Sequence, residues 1–287
     1  MSSTTGSTPR PGEPVRRAAV LTHGRPERIG PALQRVEAVA QRGGVELVFP
    51  EDEVEKHDMD ASPTDLADAD IVLVLGGDGT MLRALGRLLG TGIPAIGVNF
   101  GRVGFLTAIT EEELDAALAS VFAGEHVVIE LPTLDVELDG RRAAAVNDVV
   151  AASASVGRMV ELAWSVGGEP LGRQACDGII CATPPGSTAY NLSNGGPVLV
   201  WGLDAMAVTF IAPHSLHARS MVVPRGLDVV VMNETRDVAA AVLFDGHELG
   251  EIPPAGRVVV RLGEQRSLLA TLPEVTFFRR YRNTFTA

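Results

Sequence analysis

The sequence predicts two domains of different texture: an α/β domain built on a parallel sheet, followed by a β-rich, sandwich-like domain. Three observations support this. Ile71-Val72-Leu73-Val74-Leu75 is an unbroken apolar run, the pattern of a strand buried on both faces. Up to about residue 125, strand-like runs alternate with helix-like ones, as in parallel α/β sheets. From His126 the runs become short and β-rich, separated by turn pairs such as Asp139-Gly140, Gly167-Gly168 and Pro253-Pro254.

In chain order, residues 18–21 form a short apolar run. Residues 29–42 have helical spacing, with Leu33, Val36 and Val39 on one face, and residues 45–49 read as a strand. The buried strand 71–75 is followed by a helix over 80–89, with Leu82, Leu85 and Leu89 at helical spacing. A strand at 95–98 and a helix at 111–122 complete the first domain, placed at 15–125. The second domain, 126–271, takes strands at 127–130, 134–138, 143–151, 159–166, 206–211, 228–232, 238–243 and 257–261. Residues 272–287 form a C-terminal segment that can pack back on the first domain. Residues 1–14 are rich in Ser, Thr, Pro and Gly without an apolar run. They read as a disordered tail, neither signal peptide nor membrane span, on a cytoplasmic protein.

The composition narrows the chemistry. The chain has 287 residues, 46% of them hydrophobic and 5% aromatic, so its cores rest on Val, Leu, Ile and Ala. A net charge of −12 argues against nucleic-acid binding, which needs a positive face, and means that an anionic substrate must be caught by local donors. No apolar stretch is long enough for a transmembrane helix. Lys56 is the only lysine, and it lies in the acidic run from Glu51 to Asp58, which reads as a solvated face. Neither a P-loop nor a protein-kinase strand lysine can be built around it. Cys176 and Cys181 make no disulfide framework, and packing is their expected role.

Gly76-Gly77-Asp78-Gly79-Thr80 joins the buried strand to a helix. Open α/β sheets bind ligands at such strand ends. Glycines let a phosphate approach the backbone, and the N–H groups and dipole of a helix N-terminus favour an anion. Asp78 is out of place in a simple phosphate cradle. It makes sense as an acceptor for a hydroxyl proton, as a holder of Mg²⁺ beside phosphates, or as a capping residue of a tight turn. A second glycine-rich loop, residues 97–107, again follows a strand. A third segment runs from Asp177 through Thr183-Pro184-Pro185-Gly186-Ser187-Thr188-Ala189-Tyr190-Asn191-Leu192-Ser193 to Gly195-Gly196-Pro197. A strand there enters a turn dense in hydroxyls and backbone donors, able to read a purine edge and a sugar.

The Gly-Gly-Asp-Gly-Thr turn resembles the signature shared by NAD kinases and by lipid kinases of the diacylglycerol and sphingosine type. The segment 177–197 resembles the bacterial NAD kinase stretch. Asn147-Asp148-Val149-Val150 resembles that family's Asn-Glu/Asp motif, and residues 97–106 its N-x-G-x-x-G-F-L block. Pro213-His214-Ser215-Leu216 and Asp245-Gly246-His247 resemble two later blocks. Lipid kinases share the first motif and not the later ones.

The resemblance implies an NAD kinase/diacylglycerol kinase-like α/β domain and phosphorylation of the 2′-hydroxyl of the adenosine ribose of NAD. ATP or polyphosphate would be the donor, with a divalent metal, Mg²⁺, held mainly by substrate phosphates. It implies Asp78 as proton acceptor, Gly79 and Arg83 beside the substrate, and Phe105 against the adenine. Asn147 and Asp148 would take the adenine and a ribose, Arg158 would contact the dinucleotide, and Asp177 would serve the nicotinamide side. Thr188, Ala189, Tyr190, Asn191, Leu192 and Ser193 would line the dinucleotide, and His247 stands at another polar position of the family. No protein metal ligands are implied. A homo-oligomer, dimer or tetramer, is. Ala175 and Pro185 depart from an arginine and a threonine common in relatives, which bears on affinity. A lipid kinase, a non-catalytic NAD(P)-binding regulator and a hydrolase removing the 2′-phosphate remain the alternative readings. NADP formation from NAD and Mg-ATP separates them.

Overall fold

The computed structural model describes residues 9–23, 26–59, 62–100, 104–107, 109–215 and 217–286. Leu131–Arg266 form one compact unit, and the described residues on either side form another.

The unit that opens the chain begins with β1 (Arg10–Pro11), β2 (Arg17–Thr22), α1 (Pro26–Gly43), β3 (Glu46–Val48) and α2 (Glu51–Lys56). There follow β4 (Ile71–Leu75), α3 (Asp78–Arg87), β5 (Ala95–Asn99), β6 (Ile109–Thr110), α4 (Leu114–Phe122) and the start of β7 (Val127–Leu138). Strands β3, β2, β4, β5 and β6 pair in parallel in that order. Every residue of β4 and β5 is buried, so both strands bury both faces, as the unbroken apolar run requires. Ile71, Leu73 and Leu75 face a core filled by Val36 and Val39 of α1 and Leu114, Leu118 and Val121 of α4. Met81, Ala84 and Leu85 are the buried residues of α3.

Two expectations need correction here. Residues 9–14 are not a free tail: Arg10 and Pro11 pair with Val128 and Val127, and the Gly12 N–H donates to the His126 carbonyl at 2.7 Å. Backbone pairing of this kind leaves no mark on composition. Residues 1–8 lie outside the described residues. The acidic run is not a solvated face throughout either. Glu53 is only 2% exposed. Its carboxylate accepts the N–H and hydroxyl of Thr22, pairs with Lys56, and lies 3.4 Å from His57 Nε2. The single lysine is thus held at the end of β2, where its ammonium also reaches the Thr22 carbonyl at 3.1 Å.

The β-rich unit takes the rest of β7, then β8 (Arg141–Ala145), β9 (Asp148–Ser153), β10 (Val160–Val166), β11 (Glu169–Cys176) and β12 (Gly178–Ala182). The short α5 (Tyr190–Ser193) is followed by β13 (Ala205–Ile211), β14 (Met221–Pro224), β15 (Val229–Asn233), β16 (Ala240–Phe244), β17 (His247–Ile252) and β18 (Arg257–Thr271). One antiparallel sheet runs β14-β13-β12-β9-β16-β17. A second set runs β11-β10-β15-β18, with β7 and β8 paired as a hairpin. Their facing side chains, among them Val149, Leu162, Ile179, Val208, Val231, Val242 and Val260, make a sandwich core. Cys176 and Cys181 are buried in it as free thiols, both pushed up to about 12 by burial.

Two hairpin turns follow the sequence signals, Asp139-Gly140 with φ of 47° and 79° and Gly167-Gly168 with 58° and 86°, and Asp245-Gly246, marked in the sequence only as part of a family block, turns in the same way with 46° and 82°. Positive φ at both central residues is what a two-residue hairpin needs. The single strand expected over 143–151 is two, β8 and β9, broken at Val146-Asn147. Periodicity cannot reveal the break, because a distant side chain makes it: Asp245 accepts the N–H groups at the corner. Near the end of β18, Leu269 pairs in parallel with Ala95, and the last element is α6 (Phe277–Phe285).

Candidate functional site

In the α/β unit, the Gly76 N–H donates to Val98, and Gly77 is the extended cap from which α3 starts at Asp78. Each glycine has its own reason. A Cβ at Gly76 would run into the Thr80 side chain, whose hydroxyl is buried with no hydrogen-bond partner among the described residues. A Cβ at Gly77 or Gly79 would meet nothing within 4 Å, so these two leave the backbone open to an approaching group.

Asp78 is held by the second glycine-rich loop. Its Oδ2 accepts the Phe105 N–H at 2.5 Å, and its Oδ1 accepts those of Leu106 at 3.0 Å and Thr107 at 3.3 Å. Gly104 is needed for this seat, since a Cβ there would fall inside the carboxylate. The two glycine-rich segments form one structure joined at Asp78. Residues 101–103 of the second lie outside those described.

Behind the loop lies Arg280 of α6, buried to 4% exposure. Its guanidinium donates to the Phe105 and Thr107 carbonyls, both at 2.8 Å, and to the Thr271 hydroxyl at 2.7 Å. Burial pulls Arg280 down to about 10, against the charge of Asp78, which favours its protonated form. Phe105 is buried, with its ring 5.3 Å from Phe277 and 6.1 Å from Phe285. Packed in this way, the ring anchors α6 and does not stand open to flank an adenine. Arg83 is exposed on α3.

In the β-rich unit the Asn147-Asp148 corner is laced from two sides. Asp245 Oδ2 accepts the Val146 N–H at 2.7 Å, and its Oδ1 accepts those of Asn147 at 2.7 Å and Asp148 at 3.1 Å. Thr183 donates its hydroxyl to the Val146 carbonyl at 2.6 Å and accepts the Gly186 N–H. Gly186 lies so close to the Asn147 carbonyl that no side chain fits. Asn147 Oδ1 is buried without a hydrogen-bond partner among the described residues. Such an acceptor is costly unless a ligand satisfies it. Asp148 is pushed up to about 7 by burial and by the neighbouring charge of Asp245. Asp245 is itself raised by burial, opposed by its three N–H partners and by His247.

The loop after β12 divides into structural and open parts. Asn191 is fully buried, its amide donating to the Ser187 and Pro197 carbonyls and its oxygen accepting the Thr209 hydroxyl at 2.7 Å. Its side chain is therefore occupied by the loop and by β13. Ser187 is equally engaged, donating to Pro184 and accepting the Leu199 N–H. Thr188, Ala189 and Leu192 are half-buried, while Tyr190 and Ser193 are exposed. Asp177, His247 and Arg158 are exposed, and Arg158 pairs with Asp237 at 2.9 Å. In the sequence Asp245 stands out only as part of a motif block, without a role, and Arg280 does not stand out at all. Long-range contacts define both roles.

Residues 33–126 match the ATP-NAD kinase N-terminal domain and residues 146–272 the ATP-NAD kinase C-terminal domain. The NAD kinase of Ralstonia nicotianae is 39% identical over 246 residues, covering 82% of this chain and 80% of that one. NAD kinase 2 of Streptomyces avermitilis is 35% identical over 278 residues, covering 92% of each. Among solved structures, an NAD kinase from Archaeoglobus fulgidus in complex with ATP superposes with a TM-score of 0.74 at 28% identity, covering 94% of this chain and 97% of that one. The yeast NADH kinase complexed with NADH shares the fold, with a TM-score of 0.83 at 20% identity over 96% of this chain and 88% of that one. The turn at Asp78, the Asn147-Asp148 corner and the loop after β12 all fall within the matched domains, and the chain belongs to the NAD kinase family.

Proposed function

We propose that this chain, as an NAD kinase, transfers the γ-phosphoryl group of ATP to the 2′-hydroxyl of the adenosine ribose of NAD. The 2′-oxygen forms a bond to the γ-phosphorus, the bridging P–O bond to the β-phosphate breaks, and ADP leaves. The hydroxyl proton passes to Asp78. The observation that carries this reading is how Asp78 is held. A carboxylate offers about four acceptor positions. Three N–H groups occupy three of them, two on Oδ1 and one on Oδ2, which leaves one on Oδ2 in a rigid seat beside open glycine backbone. Catalysis of phosphoryl transfer is mostly positioning and charge neutralisation, and a fixed acceptor suits it.

In the same reading, Gly79 and Arg83 border the reacting ribose and Phe105 supports the loop beneath it. The buried oxygen of Asn147 accepts from the adenine amino group, and Asp148 bonds a ribose. Asp177, Arg158, His247 and the stretch from Thr188 to Ser193 border the dinucleotide, with Asn191 shaping the loop through its own bonds. ATP enters as its Mg²⁺ complex. The metal is held mainly by the substrate phosphates. Among the described residues no helix is long and apolar enough to cross a membrane. We place the enzyme in the cytoplasm as a homo-oligomer, a dimer or tetramer, a state that light scattering on the purified protein reads directly.

The test is NADP formation from NAD and Mg-ATP by the wild type and by Asp78→Asn. The variant is expected to lose about 10²–10⁴ in turnover, the range for a lost general base. Near-normal NADP formation by it removes the assigned role.

A further inference from the structure

We propose that Arg280, on the C-terminal helix, is a positioning residue for phosphoryl transfer, acting by holding the 105–107 loop on which the Asp78 carboxylate is seated. The inference rests on Asp78 accepting the hydroxyl proton.

The geometry is a clamp with two jaws. Asp78 takes the N–H groups of Phe105, Leu106 and Thr107. Arg280 takes the carbonyls of Phe105 and Thr107, with one nitrogen bridging both. The Phe105–Leu106 peptide is therefore held at both ends, its N–H by the carboxylate and its carbonyl by the guanidinium. Each end polarises the bonds at the other, as in hydrogen-bond chains generally. A buried arginine is costly to desolvate, and a docking contact alone is met more cheaply by an apolar residue. Phe277, one turn earlier, already supplies that apolar contact to Phe105. What the guanidinium adds is a planar fork that fixes the Phe105 and Thr107 carbonyls and the Thr271 hydroxyl in one geometry. Lysine, a point charge on a flexible stem, cannot hold all three. Arg280 itself acts only through the loop. Small displacements of a reacting group cost about 100-fold, so a loosened loop is read in turnover.

The experiment compares Arg280→Lys, Arg280→Ala, Asp78→Asn and the double variant Asp78→Asn/Arg280→Lys in the full chain. It measures kcat, KM for NAD and for Mg-ATP, and Tm. Arg280→Lys is expected to lower kcat by about 10- to 100-fold while both KM values stay within about threefold. The double variant is expected to be no more than about twofold slower than Asp78→Asn, because the two residues act on one event. A merely structural arginine gives a lowered Tm with kcat per folded enzyme within twofold of wild type. That result overturns the proposal, as does a double variant in which the two losses multiply. If Arg280→Ala does not fold, the lysine variant carries the comparison. Full activity in Asp78→Asn defeats the assignment of Asp78, whereas low activity there with normal kcat in Arg280→Lys defeats this inference alone.

Discussion

Gly104 and Asp78 occupy adjoining space with no room for a methyl group between them: a Cβ on residue 104 would sit inside the aspartate carboxylate. The distance in sequence is 26 residues, yet the two are fitted to each other, because the loop must approach closely enough for its next three N–H groups to reach Asp78. Gly104→Ala is therefore expected to lower NADP formation by at least about tenfold, with a smaller fall in Tm, since the seat is displaced while the flanking cores remain. Full activity in that variant shows that the seat is not needed.

Asp148 makes the stability of the ligand-free protein depend on pH in an unusual direction. Its folded-state value is raised from 3.8 to about 7. The folded protein thus binds a proton that the unfolded chain gives up above about pH 4. Stability from this group is present below the unfolded value and is lost as pH rises towards 7. Asp148→Asn, which cannot ionise, is expected to be more stable than wild type at pH 8 by about 2–4 kcal/mol, and to lose that advantage near pH 4. Urea unfolding at the two pH values checks it, and an advantage that grows as pH falls contradicts the assigned cause. NAD affinity in the same variant is expected to fall.

Asn191 lies in the segment expected to line the dinucleotide, but its amide is buried and occupied. Asn191→Ala removes these bonds, takes the amide donor from the Ser187 and Pro197 carbonyls and leaves the Thr209 hydroxyl to Ser220 alone. Unfolding is expected to need about 2–4 kcal/mol less, with a raised KM for NAD as the loop loosens. Asn191→Asp tests the same point, because an acceptor in place of the amide repels the Ser187 and Pro197 carbonyls. A variant with unchanged stability would mean that the loop is held by other contacts.

Arg158 separates binding from stability. Its pair with Asp237 is exposed on both sides, at 52% and 63%. Such pairs contribute about 0–1 kcal/mol. Arg158→Ala is expected to leave Tm within about 2 °C of wild type and to raise KM for NAD several-fold, increasingly so at low ionic strength. Titrating NAD at two salt concentrations gives the answer, and an unchanged KM at both removes Arg158 from the substrate's surroundings.

The fold class was legible where local pattern and tertiary environment agree. The run from Ile71 to Leu75 is apolar at every position because both faces of that strand are covered, and the pattern needs no partner to be read. Asp139-Gly140 and Gly167-Gly168 announce hairpins because their backbone angles restrict which residues fit. The Gly-Gly-Asp-Gly-Thr turn was visible for the same reason: glycine is present where backbone must be bare. The family resemblance in the ordered motifs added the dinucleotide.

What the sequence alone determined is the set of chemical groups: one aspartate among glycines, an Asn-Asp pair, a hydroxyl-rich loop and no lysine placed for phosphate. What only the tertiary structure decided is how those groups are held. Asp245 breaks the strand at Val146-Asn147 from nearly a hundred residues away, Glu53 turns an acidic surface run into a buried network, and Arg280 meets the loop of Asp78 from the far end of the chain. Each of these depends on backbone N–H and carbonyl groups, which are present at every non-proline residue. Side-chain identity therefore carries no signal for which of them a distant carboxylate or guanidinium will choose, and only the fold, by setting the distances, selects them.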